Sequence, residues 1–383
     1  MALGHKADKS FFDRKKPWSR HKDLVLNYYL PPYLAKVGRL GSPILLVDGF
    51  AGPGKFGDGS RGSPLIIAEN AATAFHRGTA VRVLCIEQDV ELYSELVTNT
   101  ATYPMVECRN GTLQNFLPDI ASAAETHTVF LYVDPYAIEG LDWAAFDTVF
   151  RHVQASSMSI EILMNFNAVA FVRRARAAMK MTAPEIEDGE DETSDPADSL
   201  PIGSELLSRA VGGDWWLDVL REGLSFPKEV GAIVDGVCRC LGKRFKEVCH
   251  LMVKERWGHA VPKYALVFGS RHPHALMLMN NAAARSREAF ADMEKPGSPT
   301  LFETRPLDLV PDQSLLRKRL RDLAASPMRR IELVQTVMRR EFGHFTDSEI
   351  TGCIRKMLTE GILVSETGKA IINDFVRVWT RRS

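Results

Sequence analysis

Four short apolar runs, Ile44 to Val47, Val81 to Ile86, Val129 to Val133 and Ile160 to Phe166, recur along the first half of the chain. Between them apolar residues fall at helical spacing over Pro64 to His76, Val90 to Asn99 and Ala144 to Val153. Near-continuous apolar runs predict strands buried on both faces, and their alternation with helices predicts a parallel sheet covered on both sides. Ser63 is the expected N-cap of the first of these helices, with Pro64 at its first position and Gly78 beyond its end. Upstream, KDLVLNYYL and PYLAKV predict two short helices split by Pro31-Pro32. Downstream, Cys249 to Lys254 and Tyr264 to Gly269 predict two closely connected strands that add an antiparallel strand at the sheet edge.

From about Ser314 the pattern changes to short helices. Ser326-Pro327 is expected to open one, with Ile331, Val334 and Met338 on a face; Thr346 and Glu349 form a capping box before another. ILVSETGKAIIN then predicts a hairpin turning at Thr367-Gly368. Three helices followed by a hairpin is the order of a winged helix. Domains are therefore expected at 1–300 and 305–383. The segment Glu185 to Asp198 holds acids and no base, which predicts a solvated, mobile insertion at 181–200.

Composition narrows the class. With 48 basic and 48 acidic residues among 383, affinity for a polyanion has to come from local segregation. Basic residues do gather in the first forty positions and near the C-terminus. Six cysteines carry no CxxC pair, so neither a metal site nor a disulfide framework is expected. The polar start lacks a signal peptide and no stretch is apolar enough for a membrane span, so a cytoplasmic protein without membrane association is expected.

The candidate chemistry begins in VDGFAGPGKFGDGSRGSP, directly behind the first apolar run. Glycine supplies positive φ and lets a ligand touch the backbone, at roughly 0.5 to 1 kcal/mol each in lost order. The spacing after Asp48 is GxxGxG (Gly49, Gly52, Gly54), unlike the dinucleotide GxGxxG, and no Lys-Ser/Thr pair follows as in a phosphate loop. It matches the acidic residue and glycine-rich turn with which Rossmann-like methyltransferases hold S-adenosylmethionine (SAM). The competing reading is a flexible surface turn. Glu87, followed by Gln88, ends the next strand, where an acid accepts hydrogen bonds from ribose hydroxyls. In VDPYA, Asp134, Pro135 and Tyr136 follow a strand and belong at the carboxyl edge of the sheet. A carboxylate and a proline carbonyl can accept both hydrogens of an exocyclic amine, and a ring can stack on a base. The bland alternative makes Asp134 a helix cap and Tyr136 a packing residue.

VDPYA resembles the DPPY signature of amino-methylating nucleic-acid methyltransferases, less one proline, and the DPF variant of tRNA guanine N2-methyltransferases. Together with FFDRKKPWSRHKD, the glycine loop, CIEQD, LYVDPYAIEGL, EILMNF and KYALVFGSRHPHALMLM, it makes the chain resemble the bacterial three-Cys-motif partner protein family. The resemblance implies an α/β, Rossmann-like class I methyltransferase fold followed by a winged helix. It also implies SAM as cofactor and a partner protein with a three-cysteine, radical-SAM-like motif. It puts Asp48, Gly49, Phe50, Ala51, Gly52 and Gly54 at the methionine end of the cofactor, Glu87 on the ribose, and Asp134, Pro135 and Tyr136 at the methyl group. Many methyltransferases place an Asp near the adenine amine; here Thr112 stands after Gly111, and Asn110 or Asn115 can substitute.

Lys15, Lys16 and Lys22 at the basic start, and Arg329, Arg330, Arg355 and Lys356 near the end, are the candidate nucleic-acid contacts, against the alternative of solvated helix faces. Trp215-Trp216 is expected to fill a core seam and His272 to be structural. The leading expectation is a SAM-dependent methyltransferase acting on an exocyclic amine of nucleic acid. Its rival is a non-catalytic adaptor built on a degenerate methyltransferase fold.

Overall fold

The computed structural model describes residues 12–181, 203–254, 262–293 and 312–381. The chain divides into two compact units, Met1–His272 and Pro273–Ser383. In the first unit, α1 (Pro17–Val37) leads into β1 (Ile44–Asp48), α2 (Ser63–His76), β2 (Val81–Glu87), α3 (Val90–Thr100), β3 (Val106–Asn110) and α4 (Leu113–Ala123). There follow β4 (Thr128–Val133), α5 (Trp143–Phe150), α6 (His152–Ala155), β5 (Ile160–Phe166) and α7 (Ala168–Ala178). The unit closes with α8 (Ser204–Val211), α9 (Trp216–Arg221), α10 (Phe226–Gly242), β6 (Glu247–Val253) and β7 (Tyr264–Ser270).

The seven strands form one sheet in the order β3-β2-β1-β4-β5-β7-β6. All neighbours from β3 to β5 are parallel, while β7 runs antiparallel to both β5 and β6. The fold is Rossmann-like. The antiparallel strand is therefore penultimate and β6 holds the edge, which corrects the expected placement of the antiparallel strand at the edge. Strands β1, β4 and β5 are buried along their whole lengths, as apolar runs covered on two faces should be. The order reverses at β1 and β4, so the crevice at their carboxyl ends is the place where such sheets bind ligands.

Two local expectations change. Pro31 and Pro32 do not split α1, which runs unbroken through both. Both prolines are exposed, and solvent can take the carbonyls that lose their amide partners on that face. Helix α2 starts one residue earlier than expected, with Gly62 as N-cap and Ser63 and Pro64 inside its first turn. Trp216 is fully buried and Trp215 lies against Gly236, so both fill core space as expected.

The second unit comprises α11 (Pro273–Met293), α12 (Gln313–Leu323), β8 (Met328–Arg329), α13 (Arg330–Arg340), α14 (Asp347–Thr359), β9 (Leu363–Ser365) and β10 (Arg377–Thr380). Its three strands are antiparallel in the order β8-β10-β9. Asn280 ties α11 into this unit through the Phe345 carbonyl (2.7 Å) and the Gly343 N–H (2.9 Å). The expected division at 300–305 would have left that helix with the first unit. Ser326-Pro327 precedes the short β8 instead of opening a helix, and the core face of α13 is Leu333, Val334, Val337 and Met338. The Thr346–Glu349 capping box forms as expected. The acidic insertion lies outside the described residues. Among the described residues no helix is long and apolar enough to cross a membrane.

Candidate functional site

Three carboxylates stand at the carboxyl ends of the adjacent strands β2, β1 and β4. Asp48 ends β1 and pairs in register with Cys85 on one side and Tyr132 on the other. Glu87 and Asp134 each lie two residues beyond those partners. The strand alternation that buries the apolar runs thus delivers all three acids to one sheet edge.

Asp48 is fully buried. Its Oδ1 accepts the Phe50 N–H at 3.3 Å, and its Oδ2 has no hydrogen-bond partner among the described residues. Burial pushes the carboxyl up to about 7, a pull opposed by the nearby Ser63 hydroxyl, which makes no hydrogen bond to Oδ2, and by the Phe50 N–H. An orphaned carboxylate oxygen in the interior is costly and is the sort of group a bound ligand's donor satisfies.

The glycine-rich turn wraps around this acid. Gly49 donates to the Tyr132 carbonyl and Ala51 to the Ile86 carbonyl, both at 2.9 Å, so the turn extends the hydrogen bonding of both neighbouring strands. Gly52 and Gly54 adopt positive φ (60° and 80°), which explains glycine at both. A Cβ on Gly49 would sit 2.7 Å from the Leu113 side chain, and one on Gly52 would sit 2.9 Å from the Phe12 ring. These bare positions therefore admit the chain's own side chains, an internal reason for glycine in addition to the ligand approach that the sequence suggested. Phe50 lies half-buried beside Gly140, where an added Cβ would meet both its ring and Pro135.

Glu87 is nine-tenths buried and holds the loop. Oε2 accepts the Gly52 N–H and Oε1 the Asp89 N–H, both at 2.8 Å, leaving a further lone pair on each oxygen. Burial raises its pKa, and the same N–H groups counter it. Behind it, Asn110 donates to the carbonyls of Glu87 (2.9 Å) and Gln88 (3.2 Å), and Gly111, at φ 148°, donates to the Glu87 carbonyl. Thr112 caps α4 by donating to Asn115 Oδ1 through its N–H (3.0 Å) and hydroxyl (2.6 Å). Of the residues suggested for adenine, Asn110 is thus engaged in positioning Glu87 and Asn115 in capping.

Around Asp134 the structure assembles residues that sequence reasoning assigned elsewhere or missed. Its Oδ2 accepts from Lys22 Nζ at 2.6 Å and from the Tyr132 hydroxyl at 3.1 Å, and its Oδ1 accepts from Asn165 Nδ2 at 2.6 Å. Lys22 lies 5.2 Å from the centroid of the Tyr264 ring, and the Tyr264 hydroxyl donates to the Trp18 carbonyl at 2.5 Å. Next to it Lys15 pairs with Asp23 and donates to the Arg61 carbonyl. Burial lowers the Lys15 pKa and pushes Asp23 up to about 6. Lys15 and Lys22 are therefore internal ion-pair partners, which corrects their assignment to phosphate contact; Lys16 is exposed. Pro135 and Tyr136 are half-buried beside Asp134. Asn165 carried no signal, because EILMNF reads as one apolar run. Arg271 spends its guanidinium on the carbonyls of Val153, Ser156 and Ser157, away from this edge.

No family model matches the chain, and no curated protein does. Among solved structures, a SAM-dependent methyltransferase from Aquifex aeolicus aligns at 16% identity over 70% of this chain and 100% of its own, with a TM-score of 0.30. The methyltransferase domain of bacterial CtHen1-C aligns at 10% identity over 64% of this chain and 98% of its own, with a TM-score of 0.31. The N-terminal domain of EvdMO1, solved with S-adenosylhomocysteine (SAH) bound, aligns at 14% identity over 69% of this chain and 85% of its own, with a TM-score of 0.28. At these scores the fold rests on the strand order itself.

In the second unit Arg329, Arg355 and Lys356 are exposed. Arg330 instead pairs with Asp374 and donates to the Thr351 hydroxyl at 3.0 Å, so it braces the unit. Among the described residues no cluster of metal-ligating side chains occurs.

Proposed function

We propose that the chain is a SAM-dependent methyltransferase acting on an exocyclic amine of nucleic acid. The observation that carries this reading is the row of Glu87, Asp48 and Asp134 on adjacent strand ends at the order reversal, with Asp48 Oδ2 unpartnered among the described residues. The residues fit the cofactor. Asp48 would take its methionine ammonium, and the lone pairs left on Glu87 would take the ribose hydroxyls. Bound there, the cofactor supplies a methyl group on a sulfonium, which needs no further activation.

The chain's own work is positioning. An amine reacts through its lone pair, so holding its hydrogens and aiming that pair contributes more than removing a proton beforehand. In this reading Asp134 and the Pro135 carbonyl would hold those hydrogens, and the Tyr136 ring would stack on a base. The helix–strand–helix–helix–strand–strand order from α12 to β10 fits a winged helix, whose exposed Arg329, Arg355 and Lys356 suit a phosphate backbone. A partner protein with a three-cysteine motif is proposed from the sequence resemblance alone.

One observation favours the adaptor reading: Asp134 Oδ2 is filled by Lys22 and Tyr132, and Oδ1 already accepts from Asn165. Calorimetry with SAH, followed by transfer of labelled methyl to DNA, RNA and the partner protein, separates the two. Absence of SAH binding at millimolar ligand ends the methyltransferase reading, and binding without transfer leaves the adaptor.

A further inference from the structure

Asn165 stands at the carboxyl end of β5, across from Asp134, and its side chain is more than nine-tenths buried. The orientation of its amide is fixed by chemistry. The face toward Asp134 Oδ1, 2.6 Å away, has to be the NH2 group, since an amide oxygen there would meet a carboxylate. Oδ1 consequently points the other way, and no hydrogen-bond donor among the described residues reaches it. A buried acceptor held in place by its own donor and left unsatisfied is a prepared position for an N–H or O–H that the described residues do not supply.

The charge around it is balanced. Lys22 pairs with Asp134 and Lys15 with Asp23, while Asp48, which also feels the Asp134 charge, is committed in this reading to the cofactor's own ammonium. An incoming ammonium would find no net negative charge at Asp134 and would meet the Lys22 ammonium. A neutral amino group suffers no such repulsion and has the hydrogen that Asn165 lacks.

We infer that Asn165 Oδ1 receives the hydrogen of the methyl acceptor, and that the Lys22–Asp134 pair makes this subsite select neutral amines, as on a nucleobase, over the ammonium of a lysine. The inference rests on the proposed methyltransferase reading and names the residues that would select its acceptor. Asn165 is then a catalytic residue and Lys22 a positioning one. The transfer balances without a co-reactant: the N–CH3 bond forms from the amine lone pair, the S–CH3 bond breaks with its pair going to sulfur, and the amine proton leaves to water.

The test uses the full chain with labelled SAM and, as probes, mixed-sequence DNA and RNA oligonucleotides and polylysine. Transfer to an oligonucleotide and not to polylysine is expected. Asn165→Ala is expected to lower kcat on that oligonucleotide about 100-fold, with SAH affinity by calorimetry within about threefold of wild type. Oligonucleotide binding in the presence of SAH, read by fluorescence anisotropy, is expected to weaken several-fold in the same variant, a readout independent of turnover. Lys22→Met is expected to admit polylysine, while Lys22→Arg keeps the wild-type preference. Should Asn165→Ala bind SAH poorly, Asn165→Leu, which keeps the volume and removes the amide, serves in its place. Full turnover without the Asn165 amide overturns the inference alone, whereas methylation of polylysine by the wild type overturns the inference and the nucleic-acid part of the reading, leaving a SAM-dependent methyltransferase. Failure to bind SAH at all removes that reading and the inference with it, as does SAH binding with transfer to none of the probes.

Discussion

Glu87 Oε2 accepts the backbone N–H of Gly52 at 2.8 Å, so the acid that ends β2 also fixes the turn that follows β1. One side chain therefore sets the shape of the glycine loop and offers the lone pairs proposed for the ribose. Hydrogen bonds to charged groups contribute roughly 1.5 to 3 kcal/mol each. Glu87→Ala is expected to lower SAH affinity by about 10- to 100-fold in calorimetry and to destabilise the protein by roughly 2 kcal/mol in urea, because the Gly52 and Asp89 N–H groups lose their acceptor. Unchanged SAH affinity would remove Glu87 from the site.

Gly52 tests the same loop from the backbone. At φ 60°, any other residue costs about 1 to 2 kcal/mol in backbone strain, and a Cβ would meet the Phe12 ring at 2.9 Å. Gly52→Ala is expected to lose roughly 2 kcal/mol or more of stability by urea unfolding. Pairing it with Phe12→Ala should relieve the steric part and leave the conformational part.

Much of this arrangement was legible in the sequence, and the exceptions have physical reasons. Strands β1, β2, β4 and β5 announced themselves because strands packed on both faces must be apolar throughout. Strand β3, Val-Glu-Cys-Arg-Asn, did not: it lies at the sheet edge, only half covered, and can carry charge. Asp48, Glu87 and Asp134 were visible as polar residues ending apolar runs. Lys22 and Asn165 were not, since they reach Asp134 across 112 and 31 residues of chain and no local pattern encodes that meeting. Prolines 31 and 32 misled because their cost falls on an exposed helix face, where water offsets it.

Asp48 makes cofactor binding pH-dependent with a defined sign. Burial holds its pKa at about 7, so below that pH the carboxyl is neutral and attracts an ammonium weakly. SAH affinity is expected to rise roughly tenfold between pH 6 and pH 8, read by calorimetry, as about 1.4 kcal/mol accompanies one unit of such a shift. Asp48→Asn is expected to bind weakly and without this pH dependence. A flat profile in the wild type would separate Asp48 from the ligand.

The basic residues of the second unit divide by their partners. Arg329, Arg355 and Lys356 are exposed, whereas Arg330 is paired with Asp374. Replacing the first three with Glu is expected to weaken DNA or RNA binding and to shallow its salt dependence by roughly one unit of log–log slope for each phosphate no longer neutralised, with unfolding unaffected. Arg330→Ala is expected to do the reverse, lowering stability by about 1 to 2 kcal/mol while acting little on the salt slope. Binding that survives the triple replacement would assign the second unit to a different partner.

Glu161 supplies a stability test away from the proposed chemistry. It is buried in β5, accepts from the Tyr29 hydroxyl and, at 3.4 Å, from the Ser270 hydroxyl, and burial raises its carboxyl to about 7. The folded protein therefore holds a proton there that the unfolded chain, with a carboxyl near 4.5, releases sooner. Its contribution is fully present below about pH 4.5 and is lost as pH rises toward 7, so stability falls across that window. Asp48 acts in the same direction between about 4 and 7. Glu161→Gln keeps a neutral hydrogen-bonding group and removes the titration; urea midpoints between pH 5 and pH 8 are expected to fall less steeply for it than for wild type, with the variant the more stable at pH 8. Equal slopes for the two proteins would mean that Glu161 ionises as readily folded as unfolded.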